Sequence, residues 1–147
     1  MSAFLGPLVL SLHGAGLWIT REPLRYQSDV AGREITVPKD LITDLASIPR
    51  RPIVYLLLGG HAPGPGVVHD FLYSTPDWDD RQLADAVLYE AMGCDQAALG
   101  YAPESTWVRW SVWSAVRLCG WWPWRNDKAR AKRLNPLWTR DGWPEHP

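Results

Sequence analysis

The sequence predicts an α+β fold in which a small N-terminal antiparallel sheet of three or four strands precedes a bundle of three to four helices. Up to about residue 38, short β-leaning runs alternate with turns that contain glycine or proline. From residue 39 onward the segments reach helix length, and apolar residues recur at helical spacing. With 147 residues the chain can bury one core without disulfides, so we predict a single domain over 1–124 and a basic, Trp- and Pro-containing tail over 125–147.

Four short segments are predicted to be strands. The last two are separated by Ala31-Gly32-Arg33, where Gly32 supplies the permissive position of a hairpin turn. The predicted strands are residues 8–12, 17–20, 24–30 and 34–37.

Three helices are expected after the sheet. The first covers 67–73 and follows a proline- and glycine-rich loop at 61–66, which we expect to be irregular. The second has Asp79 or Asp80 as its N-cap, and Gly93 ends it after Met92. The third spans about 104–119 and is apolar almost all round, which predicts burial on two sides. The tail is expected to be part helical and part extended.

Composition excludes several classes of protein. A net charge of −1 with 21% charged residues argues against a dedicated nucleic-acid binder, so no nucleic-acid partner is expected. Cys94 and Cys119 lack the spacing of a disulfide framework or a cysteine zinc site. The N-terminus makes a poor signal peptide, and no apolar run reaches the length of a membrane-spanning helix. We therefore expect synthesis in the cytoplasm.

A histidine, an aspartate and a tyrosine form the motif around which the chain is arranged. His69 and Tyr73 share one face of a helix, whereas Asp70 points sideways. Histidine is a natural general base near neutral pH, and it works best when a carboxylate holds its other nitrogen. Asp85 on the next helix is the candidate for that carboxylate. Arg81, one turn earlier, could pair with Asp85 or face solvent.

The same residues also suit a purely structural role, because a histidine and a tyrosine at this spacing often form a packing pair. Nδ1 of His69 on Asp85, with Nε2 opening onto a cleft, would have the form of a catalytic site. Both nitrogens buried against protein would instead indicate a structural polar network.

The chain resembles a phage and prophage family catalogued only as a domain of unknown function. The resemblance implies a phage or prophage origin and supplies no activity. It rests on residues 35–38, 43–50, 68–73, Arg81 and 84–85.

The two-helix motif is also similar to the active-site helices of phospholipase A-two enzymes, particularly the compact versions in viral capsid proteins. This resemblance implies that His69 activates water, Asp70 binds calcium and Asp85 steadies His69, with Tyr73 in support. It covers about twenty residues, and the usual Tyr-Gly-x-Gly pattern is absent from the sequence.

A calcium ion (Ca²⁺) takes six to eight oxygen ligands, which the loops at 44–47 or 59–66 could add to Asp70. Asp44 is the second candidate ligand and Ser47 a supporting residue, although both could equally cap the following turn. Alternatively His61, His69 and either Asp44 or Asp70 could hold zinc (Zn²⁺) with an open position, as in metal-dependent peptidases and amidases.

The tryptophans near the tail predict an interaction surface. Trp121, Trp122 and Trp124 beside Arg125 resemble an interfacial anchor for a phospholipid membrane. They would equally serve docking onto other phage structural proteins, since tryptophan and arginine dominate interface hot spots.

Three functions follow in order of preference. The first is a phage-encoded, calcium-dependent hydrolase of the phospholipase type. The second is a non-enzymatic virion component (tail or head–tail) or assembly protein in which the motif is structural. The third is a zinc-dependent cell-wall hydrolase.

Overall fold

The computed structural model describes residues 1–14, 17–43, 63–75, 78–94 and 102–134. Within these ranges six short strands precede four helices, which confirms the predicted α+β class. The strands are β1 (Ala3–Phe4), β2 (Leu10–Gly14), β3 (Leu17–Thr20), β4 (Leu24–Ser28), β5 (Arg33–Val37) and β6 (Ile42–Thr43). The helices are α1 (Pro63–Ser74), α2 (Arg81–Met92), α3 (Thr106–Cys119) and α4 (Trp121–Leu134).

The strands form two antiparallel sheets of three strands each, with the orders β1-β4-β5 and β2-β3-β6. The predicted hairpin joins β4 to β5, and Gly32 in its turn has a φ of 66°. The outer strands β1 and β6 have two residues each, too short for a periodic signal in the sequence. Alternate residues of β4 and β5 are buried and join the core with α1 and α2.

Helix α1 begins at Pro63, so the expectation of an irregular loop is wrong for residues 63–66. The amide groups of a first helical turn have no acceptor within the helix. Pro63 and Pro65 therefore lose no hydrogen bond there. His61 lies outside the described residues.

Helix α2 starts and ends as predicted. Asp80 is the N-cap, and its side chain accepts a hydrogen bond from the Leu83 amide at 3.0 Å. Gly93 is the C-cap, and its amide donates to the carbonyls of Glu90 and Ala91. These two caps fix the register of the helix that carries Asp85.

Glu90 ties α2 to the first sheet. Its carboxylate accepts five hydrogen bonds from the N-terminal region, strand β4 and the β4–β5 turn, at 2.6–3.1 Å. Burial raises the pKa of this carboxyl, but the hydrogen bonds outweigh burial and lower it overall. The donors are the hydroxyls of Ser2, Tyr26 and Ser28 and the amides of Asp29 and Val30.

The predicted burial of the third helix on two sides is wrong. In α3 only Val112 and Val116 are buried, whereas Trp107 and Trp110 are exposed. An apolar composition does not say how many neighbours a helix has, and α3 packs mainly on α2 and α4.

Helix α4 follows α3 after Gly120 and crosses the predicted boundary between the domain (1–124) and the tail (125–147). The tail is therefore helical as far as Leu134, and the division into domain and tail stays a prediction. No helix in the described ranges is both long enough and apolar enough to cross a bilayer.

Candidate functional site

The carboxylate of Asp85 is the centre of a polar cluster buried between helices. The side chain is fully buried on α2. Its Oδ1 lies 3.1 Å from Nε2 of His69 and 2.5 Å from the hydroxyl of Tyr73. His69 and Tyr73 are one turn apart on α1, so both rings face α2. The six-residue connection from Ser74 to Arg81 is short enough to bring the two helices together at this point.

The second oxygen of Asp85 faces two arginines. Nη1 of Arg117, on α3, donates to Oδ2 at 3.0 Å. Nη1 of Arg81 lies 3.8 Å from the same oxygen and also donates to the carbonyl of Arg117 at 3.4 Å. Arg81 therefore pairs with Asp85, one of the two arrangements its spacing allowed. Three helices contribute to the cluster.

Arg117 was not among the residues singled out from the sequence. The available signal was that Arg109 and Arg117 are the only charged residues of α3. Arg109 has a different role, since its guanidinium stacks 4.1 Å from the ring of Tyr89.

The ionisation of the cluster follows from burial and hydrogen bonding. Burial alone raises the pKa of Asp85, but hydrogen bonds from His69, Tyr73 and Arg117 outweigh it and hold the pKa below its usual range. Burial, followed by the hydrogen bond to Asp85, raises the pKa of Tyr73. Asp85 is thus ionised at neutral pH, and the hydroxyl of Tyr73 stays a donor.

The start of α4 closes one side of the cluster. The ring of Trp124 meets the ring of Tyr73 edge-on, with centroids 5.0 Å apart. Gly120 lies so close that a Cβ there would be 2.7 Å from the Tyr73 hydroxyl and 3.3 Å from Nη1 of Arg81. Trp124 therefore contacts the site, whereas Trp121 and Trp122 are exposed.

Two of the remaining candidates, Asp70 and Arg125, lie in the described part of the chain. Asp70 is half-buried on α1 and accepts a hydrogen bond from the hydroxyl of Thr43 at 3.0 Å. Asp44, Ser47 and His61 fall outside the described residues. Arg125 is exposed on α4.

A metal ion needs several donor side chains or carbonyls close together. No group of three or more histidine, cysteine, aspartate or glutamate side chains there could hold a metal ion. Asp70 and Thr43 place a carboxylate and a hydroxyl together, which are oxygen ligands of the kind that calcium accepts. These two groups would fit part of a calcium shell, and the loops at 44–47 and 59–62 fall outside the described ranges.

Residues 18–116 match a protein family described as a protein of unknown function, DUF1353. The chain belongs to this family. Searches of curated proteins and of solved structures found no match. The part of the chain that matches DUF1353 contains His69, Asp70, Tyr73 and Asp85, whereas Arg117 follows its last residue.

Proposed function

We propose that this DUF1353 protein is a hydrolase of the phospholipase type, encoded by a phage or prophage, in which His69 activates water. The observation that carries the proposal is the contact between an ionised, fully buried Asp85 and Nε2 of His69. The similarity to phospholipase A-two helices, in which a later aspartate steadies the histidine, supports the same assignment.

The charge on Asp85 determines which ring nitrogen can act as a base. An ionised carboxylate only accepts hydrogen bonds, so Nε2 of His69 must carry a proton and donate it. In the neutral imidazole the lone pair is then on Nδ1. Nδ1 is therefore the nitrogen that takes a proton from water as the water attacks an ester carbonyl, and the imidazolium then gives this proton to the leaving alcohol as the ester C–O bond breaks. The catalytic arrangement considered from the sequence has Nδ1 on Asp85 and Nε2 opening onto a cleft. In the structure Nε2 is on Asp85 instead.

Tyr73, Arg81 and Arg117 act on Asp85 rather than on substrate. Their hydrogen bonds and charges keep the carboxylate ionised and fix its position. As the imidazole gains a proton during the reaction, the negative charge on Asp85 stabilises the resulting imidazolium. These three residues are positioning residues, and His69 is the proposed catalytic base.

Asp70 would hold calcium together with oxygen donors of the same chain, such as the hydroxyl of Thr43. Calcium in such a site would supply positive charge for the oxyanion that forms on the ester carbonyl. The proposed substrate is a phospholipid ester presented at a membrane surface, and exposed Trp121, Trp122 and Arg125 are suited to such a surface.

The test measures release of fatty acid from phospholipid vesicles with calcium and with a chelator. His69→Gln is the informative variant, because the glutamine amide can still donate to Asp85 but cannot act as a base. We expect at least about a hundredfold loss of rate with His69→Gln, since general bases contribute roughly 10²–10⁴. His13→Gln, at an exposed histidine of β2, is the matched control and should keep the wild-type rate.

No hydrolysis by the wild-type protein, or equal rates for wild type and His69→Gln, would refute the proposal. Asp70→Asn should abolish the response to calcium and leave the circular dichroism spectrum unchanged. A response to calcium that persists in this variant would remove Asp70 from the proposed site.

A second candidate function is a virion or assembly component, with other phage structural proteins as partners. Two observations favour it: His69 is only 2% exposed, and the fully buried Asp85 receives hydrogen bonds or charges from three helices, as in a structural network. Here His69→Gln should preserve both stability and particle assembly, because it keeps the hydrogen bond. His69→Ala should impair both, because it leaves buried partners unsatisfied.

A further inference from the structure

Helix α3 carries three exposed apolar residues and one partly exposed serine along one side. Trp107, Trp110 and Leu118 are exposed to 73%, 52% and 77%. Together with Ser114 they occupy positions i, i+3, i+7 and i+11, which lie on one face of a helix. The stripe spans roughly 16 Å at 1.5 Å per residue. We refer to these four residues as the α3 stripe.

The stripe is not part of the core. Val112 and Val116 are the buried residues of α3, and they lie on the opposite side of the helix. Trp113 packs against Tyr89 of α2, with ring centroids 6.5 Å apart. The rings of Trp107 and Trp110 instead stack on each other, with centroids 5.7 Å apart and an interplanar angle of 23°. Two large indoles thus face solvent together. Exposure of this apolar surface to water is unfavourable, and burial against a partner would remove that free-energy cost.

The chain continues from the α3 stripe into more aromatic and then basic residues. Trp121 is exposed three residues after Leu118, which places their backbones within about 11 Å of each other. Arg125 and Arg133 of α4 are also exposed. Residues 125–133 contain five lysines and arginines and one aspartate, although the whole chain has a net charge of −1.

We propose that the α3 stripe, with Trp121 and Trp122, is a docking surface for an anionic phospholipid bilayer. Indoles favour the headgroup region of a bilayer, and basic residues beside them are attracted by anionic lipid. Charge also argues against a second copy of the chain as the occupant, because a symmetric contact would bring two basic segments together. The surface brings the protein to ester substrates, and in this respect the inference rests on the proposed function.

The experiment is co-sedimentation of the 147-residue chain with vesicles of ether-linked phosphatidylcholine, with or without about a third of ether-linked phosphatidylglycerol. Ether lipids contain no ester bond, so binding is measured without hydrolysis and can succeed where the esterase proposal fails. We expect binding to vesicles that contain phosphatidylglycerol, and weaker binding as salt is raised. Trp107→Ser with Trp110→Ser should weaken binding by about tenfold or more.

Leu12→Ser is the matched control, because Leu12 is an exposed apolar residue of β2 away from α3, and it should bind as wild type does. Leu118→Ser provides a second variant on the stripe and should weaken binding in the same direction. Circular dichroism and thermal unfolding establish that the variants are folded. Absent binding of the wild-type chain, or equal binding of the double variant, would overturn the proposal. Self-association that the double variant abolishes would also overturn it, because the stripe would then be a contact between copies.

Discussion

Nε2 of His69 lies 3.1 Å from Oδ1 of Asp85, and both side chains are buried between helices α1 and α2. The two residues are sixteen positions apart, and a six-residue connection between the helices brings them together. Tyr73 binds the same oxygen from one turn further along α1. The carboxylate therefore sets the position and the tautomer of the histidine while it neutralises arginines from two helices.

Asp85→Asn should be strongly destabilising. Asparagine has the same shape but no charge, so Arg117 and Arg81 would lose their counter-ion in a largely buried cluster. Loss of one partner from a buried ion pair costs about 3 kcal/mol or more. Urea unfolding at pH 7 measures this difference. Asp80→Asn is the matched control, because asparagine caps a helix as well as aspartate does, and it should change the free energy of unfolding by less than about 0.5 kcal/mol.

The parts of the fold that the sequence predicted depend on local chemistry. The β4–β5 hairpin follows from Gly32, and the bounds of α2 follow from Asp80 and Gly93. The His69–Asp85 contact was also predictable, because helical periodicity and a short connection leave few other ways to pair the two helices.

The parts that the sequence did not predict depend on long-range packing. Arg117 reaches Asp85 from 32 residues away, and the charges of Arg109 and Arg117 alone do not show which side of α3 meets α2. The exposure of Trp107 has the same cause, since composition alone predicted burial. Helix α1 began earlier than predicted because prolines of a first turn resemble those of a loop in sequence.

Stability should fall in acid, with Asp85 and Glu90 responsible for part of the loss. The pKa of each carboxyl is lowered in the folded protein, so its contribution is complete above the unfolded pKa of about 4 and is lost as pH falls through the lower folded pKa. Free energies of unfolding measured from pH 7 to pH 2.5 should decline below about pH 4. Asp85→Asn and Glu90→Gln should each make that decline less steep. If the free energy of unfolding of both variants depended on pH as that of the wild type does, the lowered pKa values of Asp85 and Glu90 would be contradicted.

Tyr73→Phe should remove the hydrogen bond to Asp85 and the interaction of the hydroxyl with Arg81, while the ring stays in place. The phenyl ring keeps the contacts with His69 and Trp124, while the buried carboxylate loses its shortest donor. A hydrogen bond to a charged group contributes about 2 kcal/mol, which urea unfolding can detect. If the protein is a hydrolase, kcat should fall with KM unchanged, because the residue acts through Asp85. Tyr89→Phe keeps its ring contacts with Trp113 and Arg109 and should be neutral.

Gly120→Ala should disturb the site from the junction of α3 and α4. The φ of Gly120 is −73°, which alanine adopts without strain. The cost of alanine here comes from steric overlap of its Cβ with neighbouring atoms. A methyl group would meet the carbonyl of Val116 and lie 2.7 Å from the Tyr73 hydroxyl. Neither group can move away freely, because the carbonyl belongs to the backbone of α3 and the hydroxyl is hydrogen-bonded to Asp85.

Overpacking of this kind costs about 1–3 kcal/mol, and thermal or urea unfolding of Gly120→Ala should show it. Gly6→Ala is the control, since a Cβ there has no neighbour within 4 Å and no change beyond about 0.5 kcal/mol is expected. Wild-type stability of Gly120→Ala would mean that α4 moves easily away from the Asp85 cluster. In that case the contact between Trp124 and Tyr73 would not hold the helix in place. If the protein is a hydrolase, its rate should then be unaffected as well.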